Sequence, residues 1–282
     1  AFKEASNAIG DISKLGVEGQ RIRFFETQAL TENFSGITLV NLHKEISSIR
    51  LNKDQEEVNY LKKAISISEI SLENTLKFIK IGMSELEVKQ FLIQQLYING
   101  AEGLSFDPIV LGAENSSLPH GHSSENKKLQ KGDTILFDFG GTYKGFNADI
   151  TRTFFLGEIN ELQKNVYENV LKANLVGIEN SITSKSMHEV DDLTTRVLEN
   201  GDYRNFIVHK TGHGLGLDVH EDPYVVRGNH SKLEKGMIIT VEPGLYIPNK
   251  FGIRIEDNVL ITDNLPNVLT SFSKEIRIIK ND

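Results

Sequence analysis

The chain has 282 residues, with an apolar fraction of 39%, a charged fraction of 25% and a formal net charge of −8. These values are those of an ordinary globular protein, and the acidic balance gives no sign of a nucleic-acid footprint. The absence of cysteine excludes disulfides, thiolate metal ligands and a cysteine nucleophile. No apolar stretch is long enough to span a membrane, and we expect a cytoplasmic protein.

Residues 1–52 form a small segment that we expect to be the remnant of an N-terminal domain with its linker. About 50 residues can barely bury a core of their own, and the chain does not begin with Met, so we expect a preceding portion to be missing. Within this segment, a short helix is predicted to stop near Gly16, and residues 21–25 are predicted to form a strand. Residues 53–282 are predicted to form the main domain.

The main domain is predicted to contain four helices. Two of them open with capping-box sequences, in which a serine is followed three residues later by a glutamate. The first helix shows an apolar face at helical spacing. The predicted ranges are 52–79, 84–99, 160–180 and 186–200.

Short apolar runs rich in β-branched and aromatic residues predict strands between these helices. The predicted ranges are 106–111, 134–137, 149–156, 206–209, 236–241, 252–261 and 275–279. Pairs of helices alternate with groups of strands along the chain, and this order is typical of the α+β class.

The segment from 138 to 149 has the strongest functional signal. The run 134–137 reads as a buried strand with Asp138 at its end, glycines mark a turn, and the next strand opens with Asp149. A hairpin of this kind can place two carboxylates side by side at its mouth. Such carboxylates repel, and one would normally take up a proton, so two ionised aspartates need a cation between them. The alternative is that both aspartates are simple turn formers.

Three further residues place ligand chemistry at strand ends or between glycines. Glu242 ends a buried run, Glu256 lies within another, and His213 is flanked by glycines. Isolated burial of a carboxylate costs several kcal/mol, and few basic residues lie nearby in the sequence. With Asp138 and Asp149 they form a five-ligand set suited to two divalent cations about 3.5 Å apart. Oxygen-dominated ligation favours Mn²⁺, with Co²⁺ or Zn²⁺ as alternatives.

Each of these residues also has a simpler interpretation. A single histidine between glycines is more often structural than a ligand, Glu242 precedes a proline and could be a turn acid, and Glu256 could pair with Arg254 across a strand. The glycines at 212–216 do not form a dinucleotide-binding fingerprint, because the third glycine is missing. The hypothesis of a metal site therefore depends on all five residues occurring together.

The chain resembles the dimetal aminopeptidases and prolidases with the pita-bread fold, over about residues 53–282. The matching motifs are Asp-Phe-Gly-Gly-Thr-Tyr-Lys-Gly-Phe-Asn-Ala-Asp at 138–149, His-Lys-Thr-Gly-His-Gly-Leu-Gly at 209–216, Thr-Val-Glu-Pro-Gly at 240–244, Arg-Ile-Glu-Asp at 254–257 and Leu-Pro-His-Gly at 118–121. All five metal-ligand positions of that family are filled.

This resemblance implies an α+β pita-bread fold with an antiparallel sheet and flanking helices, and a catalytic domain at 53–282. It implies a metallo-aminopeptidase that removes the N-terminal residue from peptides with proline in the second position. The alternative within the family is an Xaa-Pro dipeptidase. Methionine aminopeptidases share the fold and the ligands, but the Pro-His-Gly loop fits the proline-directed branch better. A different interpretation is a metal-free binding module on the same fold. Loss of metal-ligand residues would favour it, and here all five are present.

The resemblance also implies a role for each metal ligand. Asp149 and Glu256 would bridge two divalent ions. Asp138 would hold one of these ions, and His213 and Glu242 would hold the other.

The remaining site predictions concern residues that would act on the substrate. His120 would hydrogen-bond the substrate or move a proton to the leaving proline nitrogen, and His220 would donate to the developing oxyanion. His209 and Arg254 are predicted to contact substrate or position ligands. The expected partners are a peptide substrate and a second copy of the chain in a homodimer, with no nucleic acid or membrane.

Overall fold

The computed structural model describes residues 1–201 and 203–280. The chain divides into two compact units, of which the first is Ala1–Arg50 and the second begins at Leu51. Among the described helices, none has both the length and the apolar character needed to cross a membrane.

The first unit consists of short helices and a two-stranded parallel sheet. The helices are α1 (Phe2–Ile9), α2 (Phe24–Asn33) and α3 (His43–Leu51), and the strands are β1 (Lys14–Val17) and β2 (Thr38–Asn41).

Two predictions for this unit were wrong. The strand predicted at 21–25 is replaced by the start of α2, where the Glu26 side chain accepts a hydrogen bond of 2.8 Å from the Arg23 backbone N–H. The helix predicted to stop near Gly16 already ends at Ile9. Its end is set by Gly10, which has a φ of +78°, a conformation that glycine adopts without strain.

The four predicted helices of the second unit are confirmed. They are α4 (Gln55–Phe78), α5 (Glu85–Ile98), α6 (Glu161–Glu179) and α7 (Met187–Glu199). Each begins after a polar residue whose side chain accepts a backbone N–H of the first turn, which satisfies a donor that the helix cannot pair. These residues are Asp54, Ser84, Asn160 and Ser186.

The strands of the second unit form several small sheets. In chain order they are β3 (Gly103–Leu104), β4 (Ile109–Gly112), β5 (Thr134–Phe139), β6 (Gly141–Tyr143), β7 (Phe146–Asn147), β8 (Ile150–Leu156), β9 (Gly212–Gly214), β10 (Glu221–Val225), β11 (Ile238–Val241), β12 (Gly244–Ile247), β13 (Phe251–Arg254), β14 (Asp257–Leu260), β15 (Asn267–Val268) and β16 (Ile278–Ile279). The sheet orders are β16-β8-β5-β4, β10-β9-β11-β14-β15, β12-β13 and β3-β6-β7. The α+β prediction is confirmed.

The predicted hairpin is the antiparallel pair β5–β8. Its register places Asp138 opposite Thr151, so Asp138 lies one residue before the end of β5 and Asp149 directly precedes β8. A Cβ on Gly140 would lie 1.7 Å from the carbonyl oxygen of Ala148. Only glycine therefore allows the two arms to approach this closely beside the two aspartates.

Two predicted strands are not found as predicted, because the ends of a strand depend on which strands pair with it. Residues 206–209 form no strand. Phe206 instead ends a 3-10 turn at Arg204–Phe206, and Phe206 and Ile207 pack on the core around α6 and α7. The strand predicted at 252–261 is split into β13 and β14, which pair with different strands. At the break, the Glu256 backbone N–H donates to the Thr151 carbonyl oxygen at 3.1 Å.

Two other strands are shorter than predicted. The strand predicted at 106–111 begins only at Ile109, directly after Pro108, which has no N–H to give to a sheet. The strand predicted at 275–279 is limited to Ile278–Ile279, which pairs in parallel with β8.

Candidate metal centre

A single cavity of about 380 Å³ in the second unit brings the predicted site residues together. All of them line it: His120, Asp138, Asp149, His209, His213, His220, Glu242, Arg254 and Glu256. The walls are the hairpin β5–β8 and the strands β9, β11 and β13 with the segments that follow them.

His213 is oriented by its own backbone. The ring Nδ1 lies 3.0 Å from the Gly214 carbonyl oxygen, which can only accept, so Nδ1 carries a hydrogen and donates. Nε2 is then the ring nitrogen left to bind a metal, and it lies 3.6 Å from Asp149 Oδ2 and 3.2 Å from Glu242 Oε1. An Nδ1–H that donates to a backbone carbonyl is the usual arrangement of a histidine that binds a metal through its other nitrogen.

The glycines around His213 allow its strand to pack closely. A Cβ on Gly212 would lie 2.0 Å from the Thr240 carbonyl oxygen, so a larger residue would push β9 away from β11. The sequence pattern Gly-His-Gly therefore places His213 directly beside Glu242, which follows β11.

Glu256 has a carboxylate oxygen without a donor. Its Oε2 accepts a hydrogen bond of 2.6 Å from Thr151 Oγ1, whereas Oε1 is buried and finds no hydrogen-bond partner among the described residues. Ligand atoms of Asp149, His213 and Glu256 all lie within 4.8 Å of one another. A buried carboxylate oxygen without a donor, in a residue that clusters with other ligand residues, is the arrangement that a bound cation would satisfy.

The electrostatics of the carboxylates indicate a site for positive charge. Burial, followed by the neighbouring carboxylates, raises the pKa of Asp149 and of Glu256 well above the usual range. Burial also raises the pKa of Asp138, and the guanidinium of Arg254 offsets only part of this effect. For Glu242, burial acts in the same direction, but the hydrogen bond and charge of His213 outweigh it and lower the pKa to about 2. The donor set of carboxylate oxygens and one imidazole nitrogen fits divalent metal ions.

Arg254 begins a chain of buried hydrogen bonds behind the carboxylates. It forms an ion pair with Asp138, and its Nη1 donates to the Tyr246 hydroxyl at 2.5 Å. His209 Nδ1 donates to the Lys210 carbonyl oxygen at 2.8 Å, so His209 Nε2 is left to accept from the Tyr246 hydroxyl, also at 2.8 Å. Burial lowers the pKa of His209, in agreement with a neutral ring. Arg254 and His209 thus hold their neighbours in fixed orientations.

His220 and His120 approach the cavity from two loops. The rings of His213 and His220 are 4.2 Å apart between centroids. Burial, with a further contribution from His213, lowers the pKa of His220 to about 4, so His220 is neutral at pH 7. His120 lies in the segment after the 3-10 turn Ala113–Ser117.

The structure adds residues that the sequence analysis missed. Phe106, Ile109 and Lys210 also line the cavity, and the Lys210 ammonium lies 3.8 Å from the centroid of the Tyr224 ring. The only sequence signal for Lys210 was its position within the motif around His213.

Comparisons with known proteins agree with this geometry. The profile of metallopeptidase family M24 matches residues 59–263. The Xaa-Pro dipeptidase of Pyrococcus furiosus is 34% identical over 279 residues, which cover 98% of this chain and 78% of that protein.

Solved structures show the same likeness. The Xaa-Pro dipeptidase from Bacillus anthracis is 36% identical with a TM-score of 0.93, covering 98% of this chain and 78% of that chain. The X-Pro aminopeptidase from Thermotoga maritima is 33% identical with a TM-score of 0.90, covering 99% of this chain and 78% of that chain.

The fold and the site define a metal-dependent hydrolase of peptides. The chain belongs to metallopeptidase family M24, and its fold is the pita-bread fold of that family, as the sequence predicted. A divalent metal requirement follows from this membership and from the donor set.

Proposed function

We propose that this protein is a metal-dependent exopeptidase that hydrolyses the bond between an N-terminal residue and a proline in the second position. The observation that carries the proposal is the convergence of four carboxylates and His213 Nε2 on one cavity of about 380 Å³. The relatives named Xaa-Pro dipeptidase and X-Pro aminopeptidase support the choice of proline.

In this proposal, Asp149 and Glu256 would serve both of two divalent ions, Asp138 would hold one of them, and His213 and Glu242 would hold the other. Bound divalent ions would supply a nucleophilic water near neutral pH and Lewis-acid polarisation of the scissile carbonyl. The oxygen-rich donor set favours Mn²⁺, with Co²⁺ or Zn²⁺ as alternatives.

The histidines of this chain would manage protons and developing charge. His220, neutral at pH 7 because its pKa is lowered to about 4, can donate one ring N–H to the oxyanion. The leaving proline nitrogen carries no hydrogen while it is part of the peptide bond, so it must gain a proton to depart as an amine. His120, on the cavity wall, would hydrogen-bond the substrate or deliver that proton.

The apolar wall of the cavity would hold the proline ring. Phe106 and Ile109 line the same cavity as the carboxylates, and apolar side chains with a few placed polar groups are the usual lining of small-molecule sites. The ring of a substrate proline would bury its methylene groups against these two side chains.

A second candidate, with dipeptides as substrates, is favoured by Lys210. Lys210 lines the cavity, and among the described residues it forms no ion pair with a carboxylate. The carboxylate of an Xaa-Pro dipeptide would supply the missing partner through a charge-assisted hydrogen bond. The sequence motifs resemble the aminopeptidase branch first. The names of several relatives and Lys210 support the Xaa-Pro dipeptidase.

The test is hydrolysis of Ala-Pro, Ala-Pro-Ala and Met-Ala-Ser by metal-stripped protein, with and without Mn²⁺. Metal-dependent cleavage of both proline peptides supports an aminopeptidase, and cleavage of Ala-Pro alone supports a dipeptidase. For a dipeptidase, Lys210→Met should raise KM for Ala-Pro by about tenfold, the loss of one charge-assisted contact. Cleavage of the Met peptide alone, or of none, would overturn the proposal.

We also propose that residues 53–282 are the catalytic domain and that residues 1–52 belong to an N-terminal domain and its linker. The compact unit Ala1–Arg50 supports this division. A cytoplasmic homodimer remains our expectation, and light scattering of the purified protein would test the dimer.

A further inference from the structure

His120 lies on a segment that leaves strand β4 and returns toward helix α5. We call residues 113–124 the His120 loop. It starts with the 3-10 turn Ala113–Ser117, and His120 itself lies outside regular secondary structure. The place of His120 in the cavity therefore depends on how the loop is held.

A single buried carboxylate holds the loop at both ends. Glu85, the first residue of α5, is fully buried. Its Oε1 accepts from the Gly112 N–H at 2.6 Å, just before the loop, and its Oε2 accepts from the Ser124 N–H at 2.8 Å, at the last residue of the loop. The Asn115 side chain donates to both oxygens at 3.2 and 3.1 Å.

The clamp requires a charged carboxylate. Two carboxylate oxygens can accept all of these hydrogen bonds, and a buried carboxylate is tolerated only when such donors satisfy it. A glutamine at position 85 has one accepting oxygen, and its NH₂ group would face an N–H donor from either Gly112 or Ser124. One end of the loop would then be released and left with an unsatisfied donor.

Other contacts make the loop a rigid connection to the site. Ser116 Oγ accepts from the Gly252 N–H at 2.8 Å, which joins the loop to β13, the strand that ends in Arg254. Ser123 Oγ accepts from the Val110 N–H at 3.1 Å. If either end of the loop is released from Glu85, the position of His120 in the cavity therefore changes.

We propose that Glu85 is a positioning residue that sets the place of His120 by clamping both ends of the His120 loop. The inference rests on the proposed function, because it assigns Glu85 an effect on catalysis through His120. Glu85 itself does not touch the substrate.

The test is a double-mutant cycle of Glu85→Gln and His120→Ala, assayed on the proline peptide that the wild type cleaves. Glu85→Gln should lower kcat by about 10- to 100-fold, the range expected for a misplaced catalytic group, with the bound metal content unchanged. In the His120→Ala background the same change should lower kcat less than twofold. Glu125→Gln, which changes an exposed carboxylate directly after the loop, is the matched control and should stay within twofold of the wild type.

An equal loss with and without His120, or an unchanged kcat, would overturn the proposal, because a merely structural role lowers both backgrounds alike. If Glu85→Gln does not fold, Asn115→Ala removes only the side-chain donor and enters the same cycle with a smaller expected loss. If the wild type cleaves no peptide, the proposed function fails separately. Hydrogen exchange then tests whether Glu85 clamps the loop. Faster exchange of the backbone amides at 110–124 in Glu85→Gln than in the wild type supports the clamp, and unchanged exchange overturns it.

Discussion

At the residue scale, Glu256 illustrates how a buried carboxylate that lowers stability fits the metal binding proposed for it. Its carboxylate is 2% exposed, and one oxygen has no donor among the described residues. Burial and the neighbouring Glu242 and Asp138 raise its pKa well above the usual range. In the metal-free protein, this carboxylate is destabilising.

We therefore predict that Glu256→Gln stabilises the metal-free protein while removing its response to metal. Loss of the repulsion should raise the free energy of unfolding by about 1–3 kcal/mol, the size of a buried unsatisfied group. The wild type should gain stability with Mn²⁺ by mass action, and the variant should gain much less. Thermal unfolding with chelator and with Mn²⁺ measures both effects.

Glu161→Gln, at an exposed position in the first turn of α6, is the control for this comparison. Two results together would show that Glu256 is not part of the site. One is a lower unfolding temperature for metal-free Glu256→Gln than for the metal-free wild type, and the other is an equal rise in unfolding temperature with Mn²⁺ in both proteins.

The polar part of the cavity could be predicted from the sequence, and the rest could not. Acids at the ends of apolar strands are recognisable because burial of unpaired charge is unfavourable. Phe106 and Ile109 look like any core residues, and Lys210 looks like any surface lysine. Their position in the cavity depends on how distant strands pack, which local sequence does not encode.

At the element scale, the helices of the second unit are fixed by their own ends. In α7, the Glu189 carboxylate accepts from the Ser186 backbone N–H at 2.8 Å and from its Oγ at 2.9 Å. These hydrogen bonds lower the pKa of Glu189 from 4.5 to about 2, and the bond from the backbone N–H has the larger effect. A carboxylate whose pKa is lower in the folded state than in the unfolded state stabilises the fold at any pH above its unfolded-state pKa. This stabilisation is lost as the pH falls toward the folded-state pKa.

Glu189→Gln should accordingly lower Tm at pH 7, by about 1–2 °C for a chain of this size. The difference from the wild type should shrink as the pH falls below 4.5 and be nearly absent close to pH 2. Thermal unfolding at pH 7, 4 and 3 tests this, with the exposed Glu168→Gln as control. A difference that stays constant over this range would contradict the linkage.

The helices were predictable and several strands were not, for one physical reason. The caps at Ser84 and Ser186 act on residues within one turn, so the sequence contains the whole signal. The ends of a strand depend on its partners: the run 252–261 changes partner at Glu256, and the run 206–209 packs by side chains instead of pairing.

At the scale of the second unit, one buried ion pair joins elements far apart in the chain. Lys53 Nζ lies 2.5 Å from Glu221 Oε1, and the side chains are only 3% and 7% exposed. Lys53 directly precedes the N-cap of α4, and Glu221 opens β10 next to His220. The pair therefore ties the start of the second unit to a wall of the cavity.

Lys53→Met should lower the free energy of unfolding by about 3–5 kcal/mol, because it leaves a buried carboxylate without its cation. The double variant Lys53→Met/Glu221→Met should recover much of this loss. Lys235→Met breaks an exposed pair with Asp263 and should change the free energy by less than about 1 kcal/mol. Urea denaturation measures all three, and a loss below 1 kcal/mol for Lys53→Met would argue against the tie.

The proposed peptidase activity depends on the metal centre. Calorimetric titration of the metal-stripped protein with Mn²⁺, followed by Ala-Pro hydrolysis on the same samples, tests it most directly. We predict two ions per chain and activity that appears as they bind. In Glu242→Gln we predict weaker metal binding and loss of activity. Binding of no Mn²⁺, or full activity in Glu242→Gln, would contradict the account.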